Sequence, residues 1–150
     1  MSRIEITLSL KIVAPLMDLL NATANELKTQ LAVQLHPPAN GDDAEMDEMW
    51  RNSLLSTQNE SVGVLLALFD GEFFETGTVT INTDESMQII RACTALRLQM
   101  RLRQLADIPD ETLEQGIGDF DALQPDTRRA LMAYMFLATL QELIIRHVEP

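Results

Sequence analysis

The sequence predicts a mainly α-helical fold: a bundle of about four longer helices with a small two-stranded β element. Three observations predict it. Apolar residues recur at helical spacing over four long stretches. The chain is 46% hydrophobic but only 5% aromatic, so its core must be built from Leu, Ile, Val, Ala and Met, a palette that favours helices. Two short stretches, at residues 4–10 and 77–81, instead have the character of strands.

Along the chain, Ile4, Ile6, Leu8 and Leu10 alternate with Glu5, Thr7 and Ser9, the period of a strand with one buried face. From Ile12 the period changes. Leu16, Leu19, Leu20, Leu27, Leu31 and Leu35 continue it at helical spacing, which predicts a helix over about 12–35, with Pro15 tolerable in its first turn. The run His36-Pro37-Pro38-Ala39-Asn40-Gly41-Asp42-Asp43 is a loop by its prolines and its Asn-Gly turn signal. A second helix is expected from Asp43 or Ala44, where acids suit the positive end of the helix dipole. It runs through Met46, Trp50, Leu54, Val62, Leu65, Leu66 and Phe69, is conspicuously polar at 56–61, and ends at Asp70-Gly71.

Gly77-Thr78-Val79-Thr80-Ile81 is short, β-branched and bounded by turn formers, and can pair with the N-terminal strand. Asn82-Thr83-Asp84-Glu85 offers an N-cap with Glu three positions on, opening a helix through Met87, Ile90, Cys93, Leu96, Met100 and Leu105, with Pro109 as its limit. Residues 107–126 hold seven acids, two prolines and two glycines, a connection with room for one short helical piece at 110–115. Pro125 suits the first position of a last helix, and residues 130–140 are apolar nearly all round, so this helix is expected to be the central one. No internal repeat or domain boundary interrupts the pattern, and a single domain over 1–150 is expected.

The net charge of -12, from 23 acidic against 11 basic side chains, opposes binding to nucleic acid, whose affinity rests on neutralising phosphates with Lys and Arg. The same repulsion disfavours an anionic membrane surface. The apolar run 130–140 is far short of the roughly 20 residues that cross a bilayer, so no membrane is expected as partner. Arg3 and Glu5 break up any signal-peptide core in residues 1–10, and the lone Cys93 excludes an intrachain disulfide. A cytoplasmic location is the expectation.

The sharpest local feature is the cluster Arg91, Arg97, Arg101 and Arg103, four of the 11 basic residues within 13 positions. Arg97 and Arg101 are four apart and share a helix face; Arg103 points elsewhere, so not all four can meet one ligand. Two readings stand: the arginines pair with the acids of 107–126 or 42–48, or Arg97 and Arg101 hold a phosphate or carboxylate, with Gln141 or Glu142 of the last helix beside them. The second requires a concave pocket and guanidinium groups not tied to internal acids.

Acid clusters at 42–48 and at Asp119 and Asp121 lack the ordered ligands of a calcium loop, and His36 and His147 have no zinc spacing. Glu60, Glu85 and Glu142 form no Glu-x-x-His pair of the kind that holds two irons in a helical bundle. No metal and no cofactor is therefore expected. Cys93 falls on the inner face of its helix with no histidine near it in sequence, which reads as core rather than nucleophile. Nucleophile-elbow, Walker and dinucleotide-binding glycine motifs are absent from the sequence. Eight methionines serve either as packing filler or as an adaptable binding surface. Met46 and Met49 beside Trp50, the single Trp, form the candidate anchor for a partner.

Three places carry a family resemblance: residues 59–68, Leu96-Arg97-Leu98 with Arg103, and Leu137-x-x-Leu140-Gln141-Glu142-x-Ile144. On these, across about two-thirds of its length, the chain resembles the bacterial DUF2017 family, small proteins of unknown function. The motifs are helix-packing patterns rather than reactive ones. The chain departs from the family pattern at Arg101, where a small residue, often Gly, follows the Leu-Arg-Leu unit, and a side chain of that size opposes a close helix approach. The resemblance implies a cytoplasmic protein and no particular reaction. It also implies a loose link to protein quality control, since some relatives are encoded near the adaptor that delivers substrates to the Clp protease. The leading expectation is a non-enzymatic interaction or regulatory module with a protein partner, self-association through an apolar helix face included. The alternative is an anionic small-ligand binder or enzyme using the arginines of the third long helix, with Arg97, Arg101, Arg103, Gln141 and Glu142 as the candidate ligand-binding residues.

Overall fold

A computed structural model of the chain describes residues 2–32, 44–115, 118 and 120–148. The expected N-terminal strand is β1 (Arg3–Thr7), shorter than the alternation, and it pairs antiparallel with β2 (Thr78–Asn82). Ile4 faces Ile81 and Ile6 faces Val79, all four buried, while Glu5 and Thr80 occupy the other face. Period-two alternation on both strands is what sets this register.

Helical structure then starts in steps. Leu10–Val13 (α1) and a 3-10 turn at Ala14–Leu16 accommodate Pro15 before α2 (Met17–Glu26). The expected helix to residue 35 stops at Glu26, and its last positions lie outside the described residues, as does the expected loop at 36–43. The reason for the early stop is remote in sequence. On α3 (Ala44–Leu66), Gln58 donates through Nε2 to the carbonyls of Leu27 and Gln30 at 3.0 Å, and its Oε1 accepts from the Ala32 amide at 2.9 Å. Asn59 donates to the Lys28 carbonyl at 3.1 Å. These bonds satisfy backbone groups that a continuing helix would have used internally, and they account for the polar middle of α3.

α3 ends four residues before Asp70-Gly71. Asp70 opens a further short helix, α4 (Gly71–Thr76), its carboxylate accepting from the Phe73 amide at 3.2 Å. An Asp that caps a helix also reads as a stop, which is why α4 was not expected. Phe73 is fully buried, edge-on to Phe69 at 5.1 Å. Gly77 closes α4 at φ 78 and accepts from the Leu8 amide at 2.8 Å, joining α4 to the sheet.

α5 (Ser86–Leu102) follows a 3-10 turn at Thr83–Glu85; the expected N-cap is corrected, because Asn82 makes no side-chain bond to a backbone amide and instead donates through Nδ2 to Glu85 Oε1 at 3.1 Å. It is the central helix. It packs against α3, α7 (Pro125–Val148) and α2, and buries Ile89, Ala92, Cys93, Ala95, Leu96, Gln99 and Met100. The expectation that the last helix would be central is corrected. α7 begins at Pro125 as expected and buries Ala130, Leu131, Ala133, Leu137, Leu140 and Ile144, but Met135 is 57% exposed on its outer side. Ala92 and Ala95 are buried on α5 but are small, so they add little to a hydrophobicity count and conceal the central place of the helix. The short piece at 110–115 is α6 (Asp110–Gln115), and four longer helices in all are present among the described residues. None of the described helices is long and apolar enough to cross a membrane.

A Cβ added at Gly77 would sit 2.6 Å from the Leu8 carbonyl oxygen, in a backbone region that L side chains rarely adopt, whereas at Gly71 it would meet nothing within 4 Å. Gly77→Ala is therefore expected to destabilise the fold by about 1–3 kcal/mol, with Gly71→Ala near neutral. Thermal melts in which both variants match the parent chain would refute the assignment of strain.

Candidate functional site

The four clustered arginines have separate fates. The Arg101 guanidinium donates to the carbonyls of Leu105 and Ile108 and to Asp110, with its Nη2 2.6 Å from Oδ1. It therefore stitches the turn after α5 to the start of α6. This gives a physical reason for a large side chain at the position, and the internal acid takes Arg101 out of any ligand set shared with Arg97. Arg91 and Arg103 are exposed, Arg103 standing at the C-cap of α5.

Arg97 is different. Its guanidinium lies 4.6 Å from the centre of the Tyr134 ring, donates to Gln141 Oε1 at 2.8 Å and to the Tyr134 hydroxyl at 3.3 Å, and finds no carboxylate among the described residues. Gln141 is itself fixed, since its Nε2 donates to the Ile90 carbonyl at 2.8 Å and to Thr94 Oγ1 at 2.7 Å. Cation–π attraction and hydrogen bonding hold the cation without an anion. The buried Nε of Arg97 has no hydrogen-bond partner among the described residues. Glu142 is not part of this group; it is exposed and paired with Arg146 at 2.6 Å. Sequence reasoning named Arg97 and Gln141 but missed Tyr134 and Thr94. Tyr134 lies seven residues before Gln141, two helical turns, and that spacing was the available signal.

The partner-anchor candidates lie together on α3. Met46 is 64%, Met49 71% and Trp50 49% exposed, and none of residues 44–60 is buried. The stripe continues through Leu54 into a groove of about 410 Å³ between α3 and α5. Leu54, Ile90, Ala95 and Leu98 line it, with Gln58, Ser61 and Thr94 as polar positions and Arg91 as its cation among the described residues. A second groove, about 590 Å³, lies along the outer side of α7 against Leu113 and Phe120.

Residues 2–148 match the family described as Domain of unknown function (DUF2017). The chain belongs to the DUF2017 family. No curated protein and no solved structure matches it. The family match spans both the arginine group of α5 and the exposed stripe of α3, and its description assigns neither a role.

Among the described residues no three His, Cys, Asp or Glu side chains are placed to hold a metal ion. Cys93 is fully buried, and that burial pushes its thiol up from the ordinary 9.0 to about 12, against smaller opposing effects of the nearby Arg97 charge and a backbone hydrogen bond. A thiol in this state is not a nucleophile at neutral pH. The sign for stability follows: the unfolded thiol ionises first, so the advantage of burying it neutral is complete below pH 9.0 and is lost as the pH rises toward 12. Native protein is expected to resist a thiol-specific dye at pH 8 while denatured protein reacts fully, and Cys93→Ala is expected to flatten the fall in Tm above pH 9.0. Rapid labelling of the native chain would contradict this placement.

Proposed function

We propose that this DUF2017 protein is a non-catalytic interaction or regulatory module that engages a protein partner through the exposed face of α3. One observation carries the reading. A continuous helix runs over residues 44–60 with none of them buried, and it presents Met46, Met49 and Trp50 to solvent. Helices in water owe most of their stability to a packed apolar face, and an exposed Trp flanked by adaptable Met side chains is the composition of an interface anchor. The apolar last helix, which argued for self-association, spends most of that apolarity inside the fold. A second copy is thus one partner among others. A place in protein quality control is proposed on the family resemblance alone, and it adds no residue to this face.

The alternative, an anionic ligand on the arginines of α5, has one observation in its favour: Arg97 meets no carboxylate among the described residues. It lacks the paired guanidinium groups it called for, because Asp110 occupies Arg101. Arg97 is also already satisfied on two nitrogens by Gln141 and Tyr134.

Affinity capture from the native host, run side by side with the parent chain and with Met49→Glu/Trp50→Glu, tests the interaction reading. At least one protein, a further copy of the chain included, is expected to be retained by the parent chain. The double variant is expected to lose it while melting at the same temperature. Identical retention by the two would remove α3 from the interface.

A further inference from the structure

We infer that the exposed stripe of α3 and the groove beside it receive an amphipathic helix of a partner protein, with Lys or Arg on the flank that faces α3. The inference rests on the interaction reading above and adds the chemistry of the occupant. Shape argues for a helix. The groove has Leu54 of α3 on one side, Ile90, Ala95 and Leu98 of α5 on the other, and Leu31 and Ala32 of the chain after α2 as a further lining; a helix laid between two others is the usual way to fill such a channel. From Met46 to Ser61 the stripe extends about 22 Å at 1.5 Å per residue, the reach of four turns of a partner helix. Methionines at one end allow the surface to adapt to the side chains it meets.

Charge selects among helices. Glu45, Asp47 and Glu48 flank Met46 and Met49, and Arg51 is the one basic residue of α3. A second copy would bring the same acids and a further net charge of -12 against this face, whereas a basic flank gains attraction from it. Arg91, at the groove, repels Lys and Arg on that side, so the partner's cations belong on the α3 side only.

Trp50, the single Trp of the chain, reports on occupancy by its own emission. Two synthetic amphipathic helices of about 18 residues, chosen to span the stripe, share one leucine pattern and differ in carrying Lys or Glu at the flanking positions. Titrated into the full chain, the Lys peptide is expected to shift Trp50 emission to the blue and to bind at least about tenfold more tightly than the Glu peptide. Leu98→Glu, at a 38% exposed position across the groove, is expected to weaken the Lys peptide by about tenfold or more. Met49→Glu, at a 71% exposed position that packing does not need, is expected to do the same. Both substitutions add negative charge, so simple electrostatic attraction would strengthen rather than weaken binding.

Undiminished binding of the Lys peptide to both variants, equal binding of the two peptides, or a dimer of the chain that Leu98→Glu dissolves would each overturn the inference. Failure of both peptides overturns it too. In that event the interaction reading survives if Met49→Glu/Trp50→Glu still loses its captured partner, and falls if that variant captures as the parent chain does.

Discussion

The packing of α5 is the constraint on which the rest of the structure depends. This helix buries residues on most of its circumference, with Ile89, Cys93, Leu96 and Met100 fully enclosed and Ala92 and Ala95 buried beside them. Interiors packed to crystal-like density leave no room for slippage, so the polar groups on α5 must be settled locally. Gln99 donates to Glu26 at 2.7 Å, Arg101 holds the turn beyond the helix, and Arg97 rests on Tyr134 and Gln141. The elevated pKa of Cys93 is another product of the same enclosure. The helix thus places a cation that meets no carboxylate among the described residues at the α5–α7 interface and, on another side, one wall of an open groove.

α3 is the opposite case, since its two halves do different work. Its C-terminal part enters the core through Val62 and Leu65, and its middle clamps the chain after α2 through Gln58 and Asn59. The N-terminal part has no such employment among the described residues. Acidic side chains in its first turn, Glu45 and Asp47, support it as a helix, and a helix so formed but not covered on its apolar side is prepared to bury that side elsewhere. The functional proposals follow from this asymmetry rather than from any reactive group.

Much of the fold was legible because it depends on local periodicity. Ile4 and Ile6 against Val79 and Ile81 follow from alternation, α6 and the Pro125 start of α7 from turn and cap chemistry, and the family from patterns along three helices. The misreadings share one cause, which is that contacts between distant residues decided the outcome. The apolar period through Leu27 and Leu31 continues past the end of α2, and only Gln58, 31 residues from Leu27, shows why the helix stops. Arg97 and Arg101 are equivalent by spacing, yet one meets Asp110 nine residues on and the other Gln141 44 residues on. The apolar run of α7 resembles a central helix until the exposure of Met135 is known, and the alanines of α5 hide its role. In the candidate face, Met46, Met49 and Trp50 could be named from composition, whereas the groove required the juxtaposition of α3 with α5.

Residue-resolved hydrogen exchange on the isolated chain bears most directly on this division of labour. If α5 is the enclosed helix and the first half of α3 is unsupported, the amides of α5 exchange only with global unfolding, and those of residues 44–57 exchange faster by about a hundredfold or more. Uniform protection along α3, equal to that of α5, would contradict the exposed binding face, and exchange of α5 amides well before global unfolding would contradict its central position.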